Sequence, residues 1–182
     1  GFVSAIIFTI GTHHLDEAFY PGYKIPNESD ILWVVVHESG MARPKENAEL
    51  LAKTQHNDVY VTDDPRAASW HYQVDENAIY QSFDNELALW HAGGDYTPTP
   101  NCYYGNSNSI GIEMCINADG NYDASMHHDT KLVANLCNMY NLTIDNVKRH
   151  FDFSGKECPA YMIRTNRWVQ FLEWTAMELN AI

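Results

Sequence analysis

A histidine and a cysteine, two side chains that bind transition metals, lie close together near the C-terminal end of the chain. The stretch RHFDFSGKECPAYM, residues 149–162, places His150 eight residues before Cys158. Zinc in catalytic sites typically takes three protein ligands from His, Cys and carboxylate and leaves a fourth position for water. The spacing is not that of a C-x-x-C knuckle, so the pair is either a chance placement in one loop or part of a metal site completed from elsewhere.

His37 is the best candidate for the third ligand. The stretch ILWVVVHESG, residues 31–40, is a continuous apolar and β-branched run that ends in a histidine and a Glu-Ser-Gly turn. Such a run predicts a strand buried on both faces, with His37 delivered at its C-terminal end. The chain has nine histidines, so spacing alone leaves open whether His37, His150 and Cys158 meet.

Glu113 is the candidate for acid–base chemistry beside such a site. It lies in NSIGIEMCIN, residues 108–117, where alternation along a strand puts Glu113 and Gly111 on one side and Ile112 and Met114 on the other. A lone glutamate between apolar strand residues indicates that its side faces a cleft or water. The alternative is an ordinary solvated strand residue.

The sequence patterns around these residues predict the fold that must position them. They indicate one α/β domain, with a central mixed β-sheet flanked by helices. Residues 69–83 predict a β-hairpin around an Asp-Glu-Asn turn, with His71 hydrogen-bonded inside it. Helices are predicted at 43–57, with Pro44 in the first turn, at 123–140, capped by Asp123, and at 166–180. We expect residues 1–30 to wrap the surface and residues 31–182 to form the catalytic domain.

Composition and charge exclude several classes of function. A net charge of −13 argues against nucleic acid as a partner, because phosphate binding needs a surplus of Lys and Arg. No apolar run approaches the ~18 residues of a membrane span, and the N-terminal residues give only a weak signal-peptide pattern. Cys115 and Cys137 lie among apolar residues and are predicted to be small buried hydrophobes, whereas Cys158 has polar neighbours.

Five segments in order resemble the zinc-dependent N-acetylmuramoyl-L-alanine amidases of the type 2 family, found in phage endolysins and bacterial autolysins and related to the peptidoglycan recognition proteins. The segments are VVVHESG, SWHYQVDENAIYQ, LWHAGG, NSIGIEMC and RHFDFSGKECP, and the resemblance covers roughly residues 31–175. Each segment alone is weakly specific, but five in order with plausible gaps are strongly specific.

The resemblance implies roles for individual residues. The three zinc ligands of the family correspond to His37, His150 and Cys158, and its catalytic glutamate corresponds to Glu113. Lys156 corresponds to a lysine that stabilises the developing oxyanion, with an ordinary surface lysine as the alternative. A further set is expected to contact substrate: His91, Asn108 and Trp70. For His91 the alternative is a buried structural histidine. Some members place a tyrosine where this chain has Trp70, which leaves more of the acid–base work to Glu113.

The expected function is hydrolysis of the amide bond between N-acetylmuramic acid and L-alanine in bacterial peptidoglycan, with Zn²⁺ as cofactor. The alternatives are a non-catalytic muropeptide-binding module of the same fold and a structural zinc domain with four closed ligands. The resemblance places the activity at the bacterial cell wall, as a phage endolysin made in the host cytoplasm or a secreted autolysin. A separate cell-wall-binding domain outside this chain is expected to supply anchoring.

Overall fold

The computed structural model describes residues 7–9, 28–60, 67–92 and 105–182. Six strands form one sheet in the order β1-β4-β3-β5-β2-β6, in which only β3 and β4 pair antiparallel. The strands are β1 (Ile7–Thr9), β2 (Trp33–Glu38), β3 (Tyr72–Val74), β4 (Ile79–Gln81), β5 (Ser109–Met114) and β6 (Val147–Arg149). The predicted mixed sheet is therefore confirmed, and so is the predicted hairpin.

Helices cover both faces of this sheet. They are α1 (Ala48–Tyr60), α2 (Tyr122–Met139), α3 (His150–Ser154), α4 (Ala160–Arg164) and α5 (Trp168–Asn180). Helix α2 packs against the sheet through Met126, Val133 and Leu136, which are at most 2% exposed, and α5 packs on α2. None of the helices in the described ranges is long and apolar enough to cross a membrane.

The two central strands are buried along almost their whole length, and most of their side chains are apolar. Val34 and Val36 of β2, together with Ile110 and Ile112 of β5, join the main core beneath α2 and have no exposed surface. By alternation, the side chains of Ser109 and Glu113 point to the opposite face of β5, and Gly111 leaves that face open between them. That opposite face carries α1 over β3 and β4, and the candidate site lies on it beside α1.

Helix α1 begins later than the sequence predicts, at Ala48. Pro44 lies in a turn in which Lys45 adopts a positive φ of 69°, and Arg43 N–H donates to Glu46 Oε2. The first helical N–H, that of Ala48, donates to the carboxylate of Asp75 at 2.9 Å. The start of α1 is therefore fixed by an acceptor from the hairpin turn, which local sequence does not reveal.

Two further expectations about helices were wrong. The N-cap of α2 is Asn121, whose side chain accepts from Ala124 N–H at 3.1 Å, and Asp123 lies inside the first turn. Val169 on α5 is 56% exposed, although the spacing of apolar residues predicts that it is buried, whereas Phe171 is fully buried.

The N-terminal segment contributes a strand to the sheet. Ile7–Thr9 form β1 and pair in parallel with β4, and Glu28–Asp30 form one 3₁₀ turn before β2. The rest of the predicted surface-wrapping segment lies outside the described residues. Cys115 and Cys137 are free and at most 1% exposed, as predicted.

Candidate metal centre and active site

His37, His150 and Cys158 form a buried cluster of possible metal ligands. One donor atom from each side chain lies within 4.8 Å of the other two. Cys158 Sγ is 3.7 Å from His37 Nδ1, and the rings of His37 and His150 are 4.9 Å apart, centre to centre. Two imidazoles and one thiol match the donor set of a catalytic zinc site, which has three protein ligands and one open position. The described residues therefore fit a zinc ion.

The local fold brings His150 and Cys158 together. His150 begins α3, where Asp152 accepts from Arg149 N–H, and Gly155 ends this short helix in the left-handed region at φ 73°. The chain then turns back, so that Phe151 N–H donates to Cys158 O at 3.0 Å. This backbone bond closes the eight-residue spacing seen in the sequence into one compact loop.

Glu38 ties this loop to strand β2. Its buried carboxylate accepts from Tyr161 N–H at 2.7 Å and Met162 N–H at 3.2 Å, at the start of α4, and from the Tyr122 hydroxyl at 2.6 Å. Because Glu38 follows His37 directly and α4 follows Cys158 closely, one side chain fixes the distance between two of the three cluster residues. The sequence interpretation did not assign Glu38 a role.

Glu113 lies beside the cluster on the neighbouring strand. It is the register partner of His37, and its Oε1 is 3.9 Å from His37 Nδ1. Its Oε2 is buried and has no hydrogen-bond partner among the described residues. Burial raises the pKa of Glu113 to about 8, an effect that Glu38 reinforces and Lys156 opposes. Glu113 is therefore a largely buried carboxyl group, and it is not the ordinary solvated strand residue of the alternative interpretation.

Lys156 contributes a positive charge that acts on the pKa of these groups. It is exposed on the loop between His150 and Cys158. Burial is the main cause of the lowered pKa of His150, about 4, and the charge of Lys156 lowers it further. Lys156 acts in the same direction on the pKa of Glu113 and that of Cys158, against burial. A cation that influences every side of the cluster is well placed to stabilise negative charge formed there.

The protonation states of the cluster suit metal binding. Burial lowers the pKa of His37 well below its ordinary value, with His91 and His150 adding to the effect, so both cluster histidines are neutral at pH 7 and carry a free lone pair. Burial raises the pKa of the Cys158 thiol to about 12, and Glu113 contributes to the rise. A bound cation would favour the thiolate and so offset this penalty.

The residues expected to contact substrate lie in three different settings. His91 is buried, with Nδ1 3.0 Å from His37 Nε2 and Nε2 3.1 Å from Ser109 Oγ. Asn108 lies before β5, five residues from Glu113, and its side chain donates to Asp30 O. Trp70 is 9% exposed and donates its indole N–H to Gln73 at 2.8 Å.

Of these three residues, only His91 reaches the cluster, and it does so through protein hydrogen bonds. Substrate contact by all three stays a prediction. The sequence also predicts an aromatic, amide-rich loop suited to a sugar or peptide stem, formed by Tyr103, Tyr104, Asn106 and Asn108. Tyr103 and Tyr104 lie outside the described residues. Sequence reasoning missed Ser109, whose only signal is a small polar residue at the start of an apolar strand.

Comparison with known proteins agrees with this geometry. The sequence model of the family described as N-acetylmuramoyl-L-alanine amidase matches residues 27–161. The amidase CwlH of Bacillus subtilis is 32% identical over 84% of this chain and 54% of that protein. The amidase XlyA of the same organism is also 32% identical, over 83% of this chain and 45% of its own length. The chain thus spans about half the length of these relatives.

Solved structures extend the comparison to the fold. The catalytic domain of XlyA superposes with a TM-score of 0.69 at 31% identity and covers 85% of this chain and 90% of that domain. Drosophila PGRP-LB, at 15% identity and a TM-score of 0.51, covers 76% of this chain and 81% of its own and shares the fold alone. The family match includes β2, the hairpin and β5, and it includes all three cluster residues, His37, His150 and Cys158. The chain belongs to the N-acetylmuramoyl-L-alanine amidase family.

Proposed function

We propose that this chain is a zinc-dependent amidase domain that cleaves the bond between the lactyl group of N-acetylmuramic acid and the L-alanine of the peptidoglycan stem. One observation carries the proposal: a buried His37–His150–Cys158 cluster lies beside Glu113, whose Oε2 has no hydrogen-bond partner among the described residues. Family membership supports the reaction class, and the donor set supports zinc as the metal. A zinc ion there would supply a Lewis acid for the amide carbonyl and would lower the pKa of bound water.

Glu113 is proposed as the general acid–base residue. In amide hydrolysis the water oxygen adds to the carbonyl carbon, the C–N bond breaks, and one proton of the water must reach the departing nitrogen. Two observations support this role: Glu113 Oε1 lies 3.9 Å from His37 Nδ1, and Glu113 Oε2 has no hydrogen-bond partner among the described residues. A zinc ion bound beside Glu113 would favour the carboxylate over the neutral acid. Glu113 would then accept the proton from water and donate it to the alanine nitrogen, which leaves as a free amino group.

Lys156 is proposed to stabilise the negative charge that develops on the carbonyl oxygen. Its charge acts on the pKa of His37, His150 and Glu113, which supports this role, and its side chain is exposed. A preplaced cation costs no reorganisation at the moment of reaction, which is why such groups contribute strongly to acyl-transfer chemistry. Its exposure allows substrate to displace water from the ammonium group.

The proposed place of action is the bacterial cell wall, with a separate binding domain in the whole protein. The relatives CwlH and XlyA are about twice as long as the matched region, which leaves room in each for a further domain. With a net charge of −13, this domain would be repelled by anionic wall polymers, although salt weakens the effect. Anchoring by another module is consistent with both points.

The proposal is tested by incubating the chain with purified peptidoglycan, with and without a zinc chelator, and measuring new alanine amino groups and new reducing ends. We expect chelator-sensitive release of amino groups and no reducing ends. Binding of muropeptides without either product would instead identify a non-catalytic binding module. Reducing ends would contradict the amide bond as the target, and amino groups that resist the chelator would contradict zinc.

A further inference from the structure

A hydrogen-bond chain runs from strand β5 to the metal-ligand cluster through a histidine that holds no position in the cluster. Its members, in order, are Gly105 O, the Ser109 hydroxyl, His91 and His37. We propose that His91 and Ser109 are positioning residues that hold His37 in the tautomer whose Nδ1 lone pair faces Cys158 and Glu113. The inference rests on the proposed function only in taking that lone pair as a zinc ligand.

The donor and the acceptor of each of these hydrogen bonds follow from the first acceptor, Gly105 O. A backbone carbonyl can only accept, so the Ser109 hydroxyl donates its single hydrogen to Gly105 O. Ser109 Oγ can then only accept from His91, so Nε2 of His91 carries a hydrogen at 3.1 Å from it. A neutral imidazole has one N–H, so His91 Nδ1 is a bare acceptor.

The same reasoning fixes His37. Its Nε2 lies 3.0 Å from the bare Nδ1 of His91, so Nε2 carries the hydrogen and donates it. The hydrogen of a neutral His37 is thereby placed on the side away from the cluster. Its Nδ1 is left with a lone pair, 3.7 Å from Cys158 Sγ and 3.9 Å from Glu113 Oε1.

The neutral form of His91 is consistent with its surroundings. The ring is 7% exposed, and the titratable groups that act on it are His71 and His150, with His37 in contact. None of these supplies a negative charge.

Strand β5 is shaped to receive the ring of His91. A Cβ atom on Gly111 would lie 2.6 Å from His91 Nδ1, which is closer than real side chains approach. Glycine weakens the interior of a strand, and in that position it commonly marks close approach of another group. Here the approaching group is the imidazole, packed directly on the backbone between Ser109 and Glu113. The packing of the ring on Gly111 and its two hydrogen bonds together hold the His91 imidazole in one orientation.

His71 provides a matched comparison for His91, because it is also a buried histidine but makes no hydrogen bond to His37 among the described residues. Its Nδ1 accepts from Gly111 N–H at 2.9 Å, its Nε2 is 2.8 Å from Leu87 O, and its ring centre is 6.0 Å from that of His91. No bond from His71 to His37 occurs in the described residues. Replacing His71 therefore removes two hydrogen bonds of a buried histidine and leaves the Ser109–His91–His37 chain complete.

The Ser109–His91–His37 hydrogen bonds should increase the affinity of the site for a metal ion. A ligand histidine whose other nitrogen donates to a fixed acceptor keeps the ligand tautomer and ring orientation, and loss of such a partner typically lowers metal affinity by about 10- to 100-fold. His91→Phe keeps a planar ring over Gly111 and removes the acceptor. His91→Asn restores an acceptor near the position of Nδ1, so it should regain most of the lost affinity.

The test combines NMR of ¹⁵N-histidine-labelled protein with zinc competition against a chromogenic chelator. In the unaltered chain we expect a proton on His37 Nε2, coupled through the hydrogen bond to His91 Nδ1, both without metal and with zinc. In His91→Phe we expect zinc affinity to fall about 10- to 100-fold and that proton to lose its coupling. In His71→Phe we expect lower thermal stability with an unchanged His37 tautomer and zinc affinity.

Three results would overturn the proposal. These are a proton on His37 Nδ1 in the unaltered metal-free chain, wild-type zinc affinity in folded His91→Phe, and an equal loss of affinity in His71→Phe. If His91→Phe does not fold, the tautomer of the unaltered chain decides by itself. That tautomer is read without metal or substrate. A chain with the expected tautomer but no hydrolysis would thus contradict the proposed function alone.

Discussion

His37 and Glu113 are register partners on the parallel strands β2 and β5, and their side chains approach to 3.9 Å between Nδ1 and Oε1. The proposed metal ligand His37 and the proposed acid–base residue Glu113 thus lie side by side on neighbouring strands. Because both residues lie near the C-terminal ends of central, fully buried strands, the sheet itself sets their separation. Binding sites in open α/β sheets commonly occur at this end of the strands.

Replacing Glu113 should stop catalysis and leave the metal site intact. Glu113→Gln keeps the shape of the side chain but cannot carry the proton, so we expect the rate of amide cleavage to fall about 10²- to 10⁴-fold. Zinc content should stay the same, because the trio of His37, His150 and Cys158 is unchanged. The matched control is Glu49→Gln, which alters an exposed carboxylate on α1 paired with Lys53. Full activity in Glu113→Gln would remove this residue from the mechanism.

Removing the charge of Lys156 should lower the turnover number more than it changes binding. Loss of one oxyanion-stabilising donor typically costs about 10²- to 10³-fold in kcat, and we expect Lys156→Met to fall in that range. Lys53→Met is the matched control, since Lys53 is an exposed lysine on α1 whose partner is Glu49. Steady-state kinetics on a soluble muropeptide separates the two parameters. A rise in KM alone would assign Lys156 to binding.

Metal removal should lower the melting temperature of the chain, because a ligand that binds only the folded state stabilises it. Cys158→Ala should abolish this response to a chelator, since it deletes one of three ligands. The control is Cys137→Ala, which removes an equally buried thiol from the main core on the far face of the sheet. That variant should melt earlier yet keep the chelator response. A chelator effect that survives in Cys158→Ala would contradict the assigned ligand.

Much of the site could be predicted because its residues interrupt strong local patterns. Glu113 is the single acid in an apolar strand, and His37 ends a run of β-branched residues, so both positions are visible in sequence. The relation of these residues to His150 depended on resemblance to a family. Spacing along the chain does not determine which loops meet across a sheet.

The parts that could not be predicted depend on contacts between distant residues. The start of α1 is set by Asp75, 27 positions away, and the position of His91 over Gly111 depends on an irregular segment without hydrophobic periodicity. Trp70 illustrates the ambiguity of aromatic residues. Its indole packs with Leu51 near α1, whereas its place in the family pattern suggested a substrate contact.

Acid should destabilise the chain through histidines that are buried in the neutral form. Burial lowers the pKa of His71 from 6.5 to about 4. Between these values the unfolded chain binds a proton that the folded chain does not, so the free energy of unfolding decreases as the pH falls through this window. His71→Phe should be less stable at pH 7, by about 1–3 kcal/mol, because Leu87 O and Gly111 N–H lose their partner.

The same variant should show a shallower loss of stability towards acid. Denaturant unfolding of the metal-free protein at pH 7, 6 and 5 measures both effects. The pH dependence of the free energy of unfolding in His71→Phe should be smaller than in the unaltered chain, since one of the buried neutral histidines is gone. An unchanged dependence on pH would mean that His71 titrates alike in the folded and unfolded chains.

Asp129 should be a source of instability at neutral pH. It lies on α2, is fully buried, and neither carboxyl oxygen has a hydrogen-bond partner within the described part of the chain. Burial raises the pKa of Asp129 well above 3.8, and the charge of Glu113 adds to the rise. A group with a raised folded pKa contributes its full stability below its unfolded value and loses it as the pH rises. Asp129→Asn removes this titration with little change in shape.

We therefore expect Asp129→Asn to raise the free energy of unfolding at pH 7, because the substitution removes a titration that costs about 1.4 kcal/mol for each unit by which the folded pKa exceeds the unfolded value. The gain should shrink as the pH falls towards 4, because the aspartic acid is then neutral in both states. The measurement is the free energy of unfolding of both proteins by denaturant between pH 7 and pH 4. The values at the low end of this range serve as the internal control. A gain that is the same at every pH would indicate improved packing, and a loss at pH 7 would show that the carboxylate is stabilised by its surroundings.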